Sequence, residues 1–252
     1  MKSAVFQITN NCNQDCKFCL IDKKNKNELN LKQKIDAINK LKKLGVKTIA
    51  ISGGEPLTDK GFVSVVNHCK HVGIKVIVQT NGVLINKEIL TKIKDKVFGV
   101  EVALEGLKNE HNYLTSSKNF DKVVQNIKLA TKHTFVFTNF TITKANMHCL
   151  KPYVKLVNEL KVFVANFTKL YMKGNAKINF FLEPSQEEYK SFLKTLANIK
   201  SKTILNVQPG FSKQFLDECK VKEYSLCPLG KEITLNPYGE VLQCPGMCVS
   251  KT

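Results

Sequence analysis

Three cysteines near the start of the chain have the spacing of a metal site. Cys12, Cys16 and Cys19 lie in the segment NNCNQDCKFC, residues 10–19, with gaps of three and then two residues. Thiolates are soft ligands that suit iron–sulfur clusters, zinc or copper(I). A structural zinc or a fully ligated four-iron cluster needs a fourth ligand, and the neighbouring sequence supplies none. The segment therefore predicts a cluster with one open metal corner, where a small molecule can bind.

A glycine-rich segment is the second chemical signal. In ISGGEPL, residues 51–57, Gly53 and Gly54 have no side chain, so the backbone can approach a ligand closely. The Glu55 carboxylate and the nearby carbonyls can hold an ammonium group. A turn that stops at Pro56 would give a similar sequence, so this segment gains meaning from its distance to the cysteines.

Composition indicates a reduced compartment. The chain has 252 residues and nine cysteines, and it shows no apolar run long enough for a membrane span and no signal peptide. We therefore expect a cytoplasmic protein with no membrane partner, in which thiols stay reduced. Nine cysteines then favour metal or redox chemistry over a disulfide framework.

The net charge of +18 comes from 39 basic residues, all of them lysines. A basic surface attracts acidic peptides, phosphorylated molecules or nucleic acid. Lysine cannot fork onto a phosphate or a guanine as arginine does, so nucleic acid is not the expected partner. A solvated lysine coat explains the same composition without any partner.

The elements that must position these residues alternate between strand and helix. Apolar, β-branched runs predict parallel strands at 4–9, 47–52, 74–80, 98–104, 134–142 and 161–171. Helical apolar spacing lies between most of them, as in 31–44, and implies right-handed βαβ crossovers. Six such units are too few for a closed eight-stranded barrel. We expect an α/β fold with a partial (β/α)6 TIM-like barrel over residues 1–200, whose active residues lie on the loops that follow the strands.

The pattern changes after residue 200. TILNVQP, residues 203–209, predicts one more strand, and KEITLNPYGEVLQC, residues 231–244, predicts a hairpin that turns at NPYG. We expect residues 201–252 to form a small appendage that bears Cys219, Cys227, Cys244 and Cys248. The domain is either cut short in this chain or naturally short.

Together the motifs resemble the radical S-adenosylmethionine (radical SAM) superfamily. The resemblance lies in Cys-x3-Cys-x2-Cys with Phe18 before the last cysteine, and in Gly-Gly-Glu-Pro after the second strand. VQTNGVLI (78–85) resembles the family's Thr-Asn-Gly segment, and LYMKGNA (170–176) its Gly-x-Ala segment. The resemblance implies a [4Fe–4S] cluster on the three cysteines, with S-adenosyl-L-methionine (SAM) at the open iron. It places the SAM site at Phe18, Gly53, Gly54, Glu55, Pro56, Asn81, Met172 and Gly174.

Residues 100–130 resemble members that carry an extra C-terminal cluster domain, but Ala103 and Glu105 replace the Ser and Asp of their Ser-Leu-Asp-Gly stretch. We therefore leave Ala103 out of the site. Cys227, eleven residues, Gly239, four residues and Cys244 match the opening of the SPASM/Twitch auxiliary-cluster pattern. The resemblance implies an auxiliary [4Fe–4S] cluster on Cys219, Cys227, Cys244 and Cys248. A zinc knuckle on the same four cysteines is the alternative.

Three functions are consistent with these features. The first is a radical SAM enzyme that forms a 5′-deoxyadenosyl radical, abstracts hydrogen from a peptide or protein side chain, and uses the auxiliary cluster in oxidation or cross-linking. The second is the same chemistry on a sugar, an amino sugar or a nucleotide. The third is a noncatalytic zinc or iron–sulfur protein bound to nucleic acid. The enzymatic readings imply an electron donor such as flavodoxin or ferredoxin, and a substrate that can be acidic. The first strand begins near residue 3, so we expect no N-terminal leader-peptide domain, and the sequence assigns no catalytic residue.

Overall fold

The architecture is an open, mostly parallel β-sheet with helices on its outer face. The computed structural model describes residues 2–21, 27–226 and 232–242. Within these ranges one sheet has the strand order β10-β9-β1-β2-β3-β4-β5-β6-β7-β8, and all neighbours are parallel except β9 and β10. The strands are β1 (Lys2–Gln7), β2 (Val46–Ser52), β3 (Lys75–Thr80), β4 (Gly99–Ala103), β5 (Phe135–Ile142), β6 (Val164–Lys169), β7 (Ile204–Val207), β8 (Glu223–Tyr224), β9 (Glu232–Leu235) and β10 (Val241–Leu242).

Helices connect the parallel strands and cover the sheet. They are α1 (Leu31–Lys43), α2 (Phe62–His71), α3 (Lys87–Ile93), α4 (Lys108–Thr115), α5 (Phe120–Ala130), α6 (Leu150–Glu159), α7 (Asn175–Ile178), α8 (Gln186–Ala197) and α9 (Lys213–Glu218). Two of the longer helices begin with capping boxes: Asn30 and Gln33 cap α1, and Ser185 and Glu188 cap α8. Each box satisfies backbone donors that the first turn of a helix leaves free.

The hydrophobic core lies between the sheet and the helices. Alternate strand residues such as Ile49, Val76 and Phe167 point outward and are fully buried against helical residues such as Ile38 and Val157. This arrangement is the α/β fold with an open, partial TIM-like barrel that the sequence predicts. The six predicted barrel strands, the additional strand at Ile204–Val207 and the hairpin that turns at residues 236–239 are all confirmed.

The inner, concave face of the sheet is polar near the carboxyl ends of the strands. Gln79 and Glu101 are register partners on β3 and β4, and Asn139, Asn166 and Asn206 are register partners across β5, β6 and β7. Asn166 Nδ2 donates to Glu101 Oε1 at 2.7 Å although β5 lies between their strands. This bond requires strong curvature of the sheet, which makes the polar face the lining of the partial barrel.

The opposite, amino-terminal end of the barrel is apolar. Phe98, Phe135 and Phe163 pack there with ring centroids 4.9–5.5 Å apart along the row. Beside them a cavity of about 460 Å³ is lined by the first residues of β5 and β7, including Phe135 and Ile204, and by Phe163, which precedes β6. Because active residues of such barrels follow the carboxyl ends of the strands, this cavity lies at the wrong end for the chemistry.

Several elements differ from the sequence-based expectation. Helices α3 and α4 were not predicted, because each is seven or eight residues long and too short to show an apolar period. The expected appendage also joins the main sheet, since β9 pairs in parallel with β1 from Ser3–Glu232 to Phe6–Leu235. No helix in the described ranges is long and apolar enough to cross a membrane.

The buried Asn126 side chain on α5 should contribute measurably to stability. Its Nδ2 donates to the carbonyls of Gly82 and Val83, at 2.8 and 3.1 Å, in the loop after β3. Asn126→Ala leaves these acceptors without a donor, so we expect the free energy of unfolding to fall by about 1–3 kcal/mol in urea titrations. Gln125→Ala, on the exposed neighbour, is the control and should change it by less than about 0.5 kcal/mol. Equal losses in both variants would contradict this role.

Candidate active site

The cysteine loop, residues 8–21, follows β1 and lies against the loop that follows β2. Gly54 N donates to Thr9 O, and Glu55 N donates to Asn11 O, both at 2.7 Å. These two bonds continue the parallel pairing of β1 with β2 beyond the end of the sheet. The two segments that carry the strongest sequence signals are therefore in direct backbone contact.

This contact explains both glycines. A Cβ atom on Gly53 would lie 2.4 Å from Thr9 O, and one on Gly54 would lie 2.4 Å from Asn11 O and 2.6 Å from Asn10 O. Gly53 also has a φ of 148°, which side chains rarely adopt. The sequence predicts close approach to a ligand at these positions, and the structure adds that the cysteine loop itself approaches them.

Glu55 joins three loops. The side chain is fully buried, its Oε1 accepts from Thr80 Oγ1 at 2.8 Å and Leu57 N at 3.0 Å, and its Oε2 accepts from Asn81 N at 2.7 Å. Burial raises the pKa of Glu55, and these hydrogen bonds oppose the rise. An ionised carboxylate has about four acceptor positions, so one position remains for a donor such as an ammonium group. Pro56, also buried, starts the short turn that follows.

Asn81 reaches from the loop after β3 to the cysteine loop. Its Nδ2 donates to Asn13 Oδ1 at 2.6 Å and lies 4.0 Å from Cys12 Sγ. Its Oδ1 accepts from Val83 N, which holds the turn in place. The structure therefore brings the Thr-Asn-Gly segment next to the first cysteine.

The segment after β6 holds the other end of the cysteine loop. Gly174 has a φ of 51°, and a Cβ atom there would lie 2.6 Å from Cys19 O. Asn175 N donates to Cys19 O at 2.9 Å, and Asn175 Nδ2 donates to Cys16 O at 3.0 Å. Asn179 Nδ2 donates to Lys17 O at 3.2 Å. The predicted Gly-x-Ala segment thus binds the backbone of two of the three cysteines.

Phe18 and Met172 meet in a small apolar cluster under the loop. The buried members of this cluster are Leu114, Leu170, Ala176 and Leu182, and Phe18 and Met172 pack against it with Ala145. Lys17 N donates to Leu114 O at 2.8 Å, so backbone pairing accompanies the packing. All eight residues predicted for the SAM site lie in the four loops that surround the cysteines.

The three cysteine thiols are half-buried. Burial raises the pKa of Cys16, and charge on Cys19, Glu105 and Cys12 raises it further. In the described residues no three histidine, cysteine or acidic side chains are gathered closely enough to hold a metal ion, so these thiols must draw together to ligate one. Binding a cluster would therefore release protons as thiolates form.

Gln14, inside the cysteine loop, provides a test of whether a cluster fits. Its Oε1 accepts from Cys16 Sγ at 3.4 Å, but its Nε2 is buried with no hydrogen-bond partner in the described part of the chain. Buried donors are rarely left unpaired. An acceptor such as a cluster sulfide or a SAM carboxylate would satisfy it. Three soft thiols and this unpaired donor fit a thiolate-bound cluster with one open corner.

Buried polar groups support the loops from below. Glu105 Oε2 accepts from Thr141 N at 2.6 Å, and burial raises the pKa of Glu105 to about 8. Glu105 N donates to His111 Nδ1 at 3.2 Å, so His111 Nε2 carries the proton that Asn119 Oδ1 accepts at 2.9 Å. Burial lowers the pKa of His111 to about 4, which keeps the ring neutral.

The concave face beneath the cysteine loop offers hydrogen-bonding groups to a substrate. Glu101 Oε2 accepts from Gln79 Nε2, and Glu101 Oε1 from Asn166 Nδ2, both at 2.7 Å. Asn206 Nδ2 extends the network to Asn166 Oδ1 at 2.8 Å. Burial raises the pKa of Glu101. Tyr113 does not join this network, because it is exposed and lies under Lys17 Nζ, 5.1 Å from its ring centroid.

Residues 232–242, near the C-terminus, contact the cysteine loop through Tyr238. Asn10 Nδ2 donates to Tyr238 Oη at 2.6 Å, and Leu29 N donates to Pro237 O at 2.8 Å. Cys219 is buried in the main core, and its thiol contacts Lys190 O at 3.9 Å. Cys227, Cys244 and Cys248 lie outside the described residues, so the auxiliary site stays a prediction.

Sequence reasoning missed the residues that lock the loops together. Asn175, Asn179 and Asn126 act through side-chain hydrogen bonds to distant backbone groups, and such bonds leave no periodic signal. Gln14 acts locally, by accepting from the Cys16 thiol two positions away. Asn175 was the one that could have been found, since it is the middle residue of the Gly-x-Ala segment.

Known proteins resemble this chain in sequence and fold. A model of the radical SAM superfamily matches residues 6–157. Mycofactocin maturase MftC of Mycolicibacterium smegmatis is 27% identical over 95% of this chain. The "Probable GTP 3′,8-cyclase" of Sulfurisphaera tokodaii is 29% identical over 76% of it. The chain spans 63% of the length of each of these two relatives.

Solved structures share the fold at low sequence identity. Streptococcus suis SuiB bound to its precursor peptide SuiA superposes on 99% of this chain with a TM-score of 0.75 and 15% identity. The chain spans 61% of SuiB. SuiB has also been solved bound to S-adenosylmethionine.

Substitution at Gly54 should prevent cluster assembly without unfolding the protein. Because the added methyl of Gly54→Ala would meet the carbonyls of Asn10 and Asn11, the cysteine loop must move away from β2. We expect anaerobically reconstituted Gly54→Ala to bind about four fewer irons per chain than the wild type, because one four-iron cluster is lost, while the circular dichroism spectrum is kept. Gly45→Ala has no atom within 4 Å of the new methyl and bears only the backbone strain of a φ of 84°, far from the cysteine loop, so it should bind iron like the wild type. Normal iron content in Gly54→Ala would contradict the loop-contact explanation.

Proposed function

The chain belongs to the radical SAM superfamily, whose members are enzymes that use a [4Fe–4S] cluster and SAM, and on this basis we propose that it modifies a peptide or protein side chain by hydrogen abstraction. When bound, the cluster supplies the electron that cleaves SAM into methionine and a 5′-deoxyadenosyl radical. The observation that carries the proposal is the meeting of four loops, those after β1, β2, β3 and β6, around Cys12, Cys16 and Cys19.

Each loop has a role in this proposal. The three cysteines would hold the cluster and leave one iron for SAM, and Glu55 would offer its remaining acceptor position to the SAM ammonium group. Asn81 and Gly174 hold the two ends of the cysteine loop, and their backbone groups line the SAM site. Phe18 and Met172 provide an apolar surface for the adenine. The loop after β2 lies against the cysteine loop, and its backbone course depends on Gly53, Gly54 and Pro56.

A peptide substrate is favoured by two relatives and by charge. MftC is named as a maturase, and SuiB was solved with its precursor peptide. The net charge of +18 would concentrate acidic peptides near the protein. The amides and carboxylate of the Gln79–Glu101–Asn166–Asn206 network can hydrogen-bond a peptide group on the concave face.

A small metabolite is the second candidate. The cyclase relative is named for GTP, and the same polar network can bind the hydroxyls of a sugar or a nucleotide. The two candidates differ in the source of label. Deuterium should pass into 5′-deoxyadenosine from a labelled acidic peptide in the first case and from a labelled nucleotide or sugar in the second.

We also propose an auxiliary [4Fe–4S] cluster on Cys219, Cys227, Cys244 and Cys248, which would accept an electron from the substrate radical. Cys219 is the one described member of this set, and it must leave its buried contact with Lys190 O to become a ligand. A flavodoxin or a ferredoxin is the proposed electron donor to the first cluster.

The cysteine loop can be tested directly. With dithionite and SAM, the wild-type protein should form 5′-deoxyadenosine, and Cys16→Ala should form none, because a cluster held by two thiolates loses its oriented open corner. Liquid chromatography of the product measures this. Cys69→Ala, at a buried cysteine of α2, is the control and should retain product formation. Equal yields from wild type and Cys16→Ala would refute the assignment of the loop.

Iron content tests both clusters. Reconstituted protein should hold about eight irons, and replacement of Cys12, Cys16 and Cys19 by alanine should leave about four. Replacement of Cys227 and Cys244 should remove the other four and keep the SAM-binding cluster. About four irons in the wild type would refute the auxiliary cluster alone, whereas zinc at both sites would refute the radical SAM assignment.

A further inference from the structure

Three large apolar side chains are exposed on the segment that follows β6. Ile178 is 76% exposed, Phe180 69% and Phe181 52%, and the two phenylalanine rings lie 6.3 Å apart between centroids. We call these three residues the apolar knuckle. Isolated exposed apolar residues are common, but a contiguous group of this size marks an interaction site more often than chance exposure.

The knuckle is not the result of loose packing. On the same segment Ala176 and Leu182 are buried with Leu114 and Leu170 in the small cluster that includes Phe18. Leu182 O also accepts from Lys144 N at 2.9 Å. One face of the segment is therefore anchored in the protein, which fixes the other face toward solvent.

The anchored segment directly supports the cysteine loop. Asn175 Nδ2 donates to Cys16 O, and Asn179 Nδ2 donates to Lys17 O. The knuckle residues are thus one to three positions away from side chains that bind the backbone of a cluster ligand and of its neighbour. No other group of exposed large apolar residues in the described ranges adjoins this loop: Phe98, Phe135 and Phe163 lie at the opposite end of the barrel.

The surroundings of the knuckle are basic. Lys173 and Lys177 lie on the same segment, and within the described residues neither forms an ion pair. Lys17, in the cysteine loop, packs over the exposed ring of Tyr113. Two acidic residues are also near: Asp15, whose Oδ1 accepts from Asn175 Nδ2, and Glu183, at the far end of the segment.

From this combination we propose that the apolar knuckle, with Lys17, Lys173 and Lys177, is the docking surface for a small acidic one-electron carrier that reduces the cluster. The inference rests on the proposed function, because only a bound cluster needs an electron. In each transfer one electron leaves the reduced flavin or iron–sulfur centre of the carrier and enters the cluster, so the carrier is oxidised and the cluster reduced by one. Apolar contact at the centre supplies affinity, and lysines at the rim steer the encounter.

Other occupants fit the surface less well. A second copy of this chain would bring +18 against +18, and self-repulsion opposes that contact. The groups of the protein that can hydrogen-bond a peptide substrate, Glu101 and Asn166, lie on the concave face. The knuckle residues form no hydrogen bond with either of them in the described structure.

The test compares a protein reductant with a small one. The full-length, reconstituted protein is mixed with SAM and either a reduced flavodoxin or a reduced ferredoxin, both of low isoelectric point, or with dithionite. Phe180→Ser with Phe181→Ser, and separately Lys177→Glu, should slow cluster reduction by either carrier about tenfold or more. Dithionite needs no docking surface, so reduction by dithionite should stay within about twofold of wild type.

Matched controls lie at the other end of the barrel and on another helix. Phe135→Ser replaces a similarly exposed phenylalanine, and Lys128→Glu makes the same charge change on α5. In both variants the cluster should be reduced at the wild-type rate by every donor. Raised salt should slow the carrier reactions of the wild type and leave the dithionite reaction unchanged.

Three outcomes would overturn the docking proposal, and a fourth would refute the proposed function on which it rests. Unchanged carrier rates in the knuckle variants exclude this docking surface, and equal losses with carriers and dithionite show that the segment only supports the cysteine loop. Normal carrier rates with a raised KM for an acidic peptide would assign the surface to substrate. Failure of wild-type protein to form 5′-deoxyadenosine with dithionite refutes the proposed function instead, so the two failures are distinguishable.

Discussion

The backbone contact between the loop after β1 and the loop after β2 is the constraint on which the site depends. Gly54 N and Glu55 N donate to the carbonyls of Thr9 and Asn11, and the two strands approach so closely that a Cβ atom on Gly53 or Gly54 would overlap those carbonyls. Parallel pairing therefore continues past the sheet into the cysteine loop. A loop that binds metal needs such support, because ligands that are not held in place bind metal less tightly.

The same region contains buried carboxyl groups that have no cationic partner among the described residues. Glu55, Glu101 and Glu105 are carboxyl groups with pKa values raised by burial, and in the described residues none of them has a lysine partner although the chain carries 39 lysines. Their oxygens accept mainly from backbone N–H groups and side-chain amides. Buried acids that are held by neutral donors are costly for stability, and groups of this kind concentrate at functional sites. Glu105 supports the loops, whereas Glu101 faces the concave surface and is available to a substrate.

Residues 232–242 lie beside the cysteine loop and extend the sheet next to β1. The turn before β10 contacts the cysteine loop through Tyr238 and Asn10, and β9 extends the sheet beside β1. The described part of the C-terminal segment, residues 232–242, is therefore in direct contact with the cysteine loop through Tyr238. The segment after β6 holds the opposite end of that loop. The cysteine loop is therefore held by groups that follow β9 on one side of β1 and β6 on the other side in the strand order.

The amino-acid sequence by itself determined the order of the barrel strands and of the longer helices, the open barrel, and the positions of the cysteine, Gly-Gly-Glu, Thr-Asn-Gly and Gly-x-Ala segments, because periodicity and motif spacing are local properties. It did not show short helices such as α3 and α4. Only the tertiary structure decided which groups hold these segments together. Asn126, Asn175 and Asn179 bind backbone atoms 44, 159 and 162 positions away in the chain. The alternation of polar and apolar residues along the strands places Gln79, Glu101 and Asn166 on one face of the sheet. The hydrogen bond from Asn166 to Glu101, which crosses β5, forms because the sheet is curved. Long-range side-chain hydrogen bonds depend on that curvature, and no short stretch of sequence encodes it.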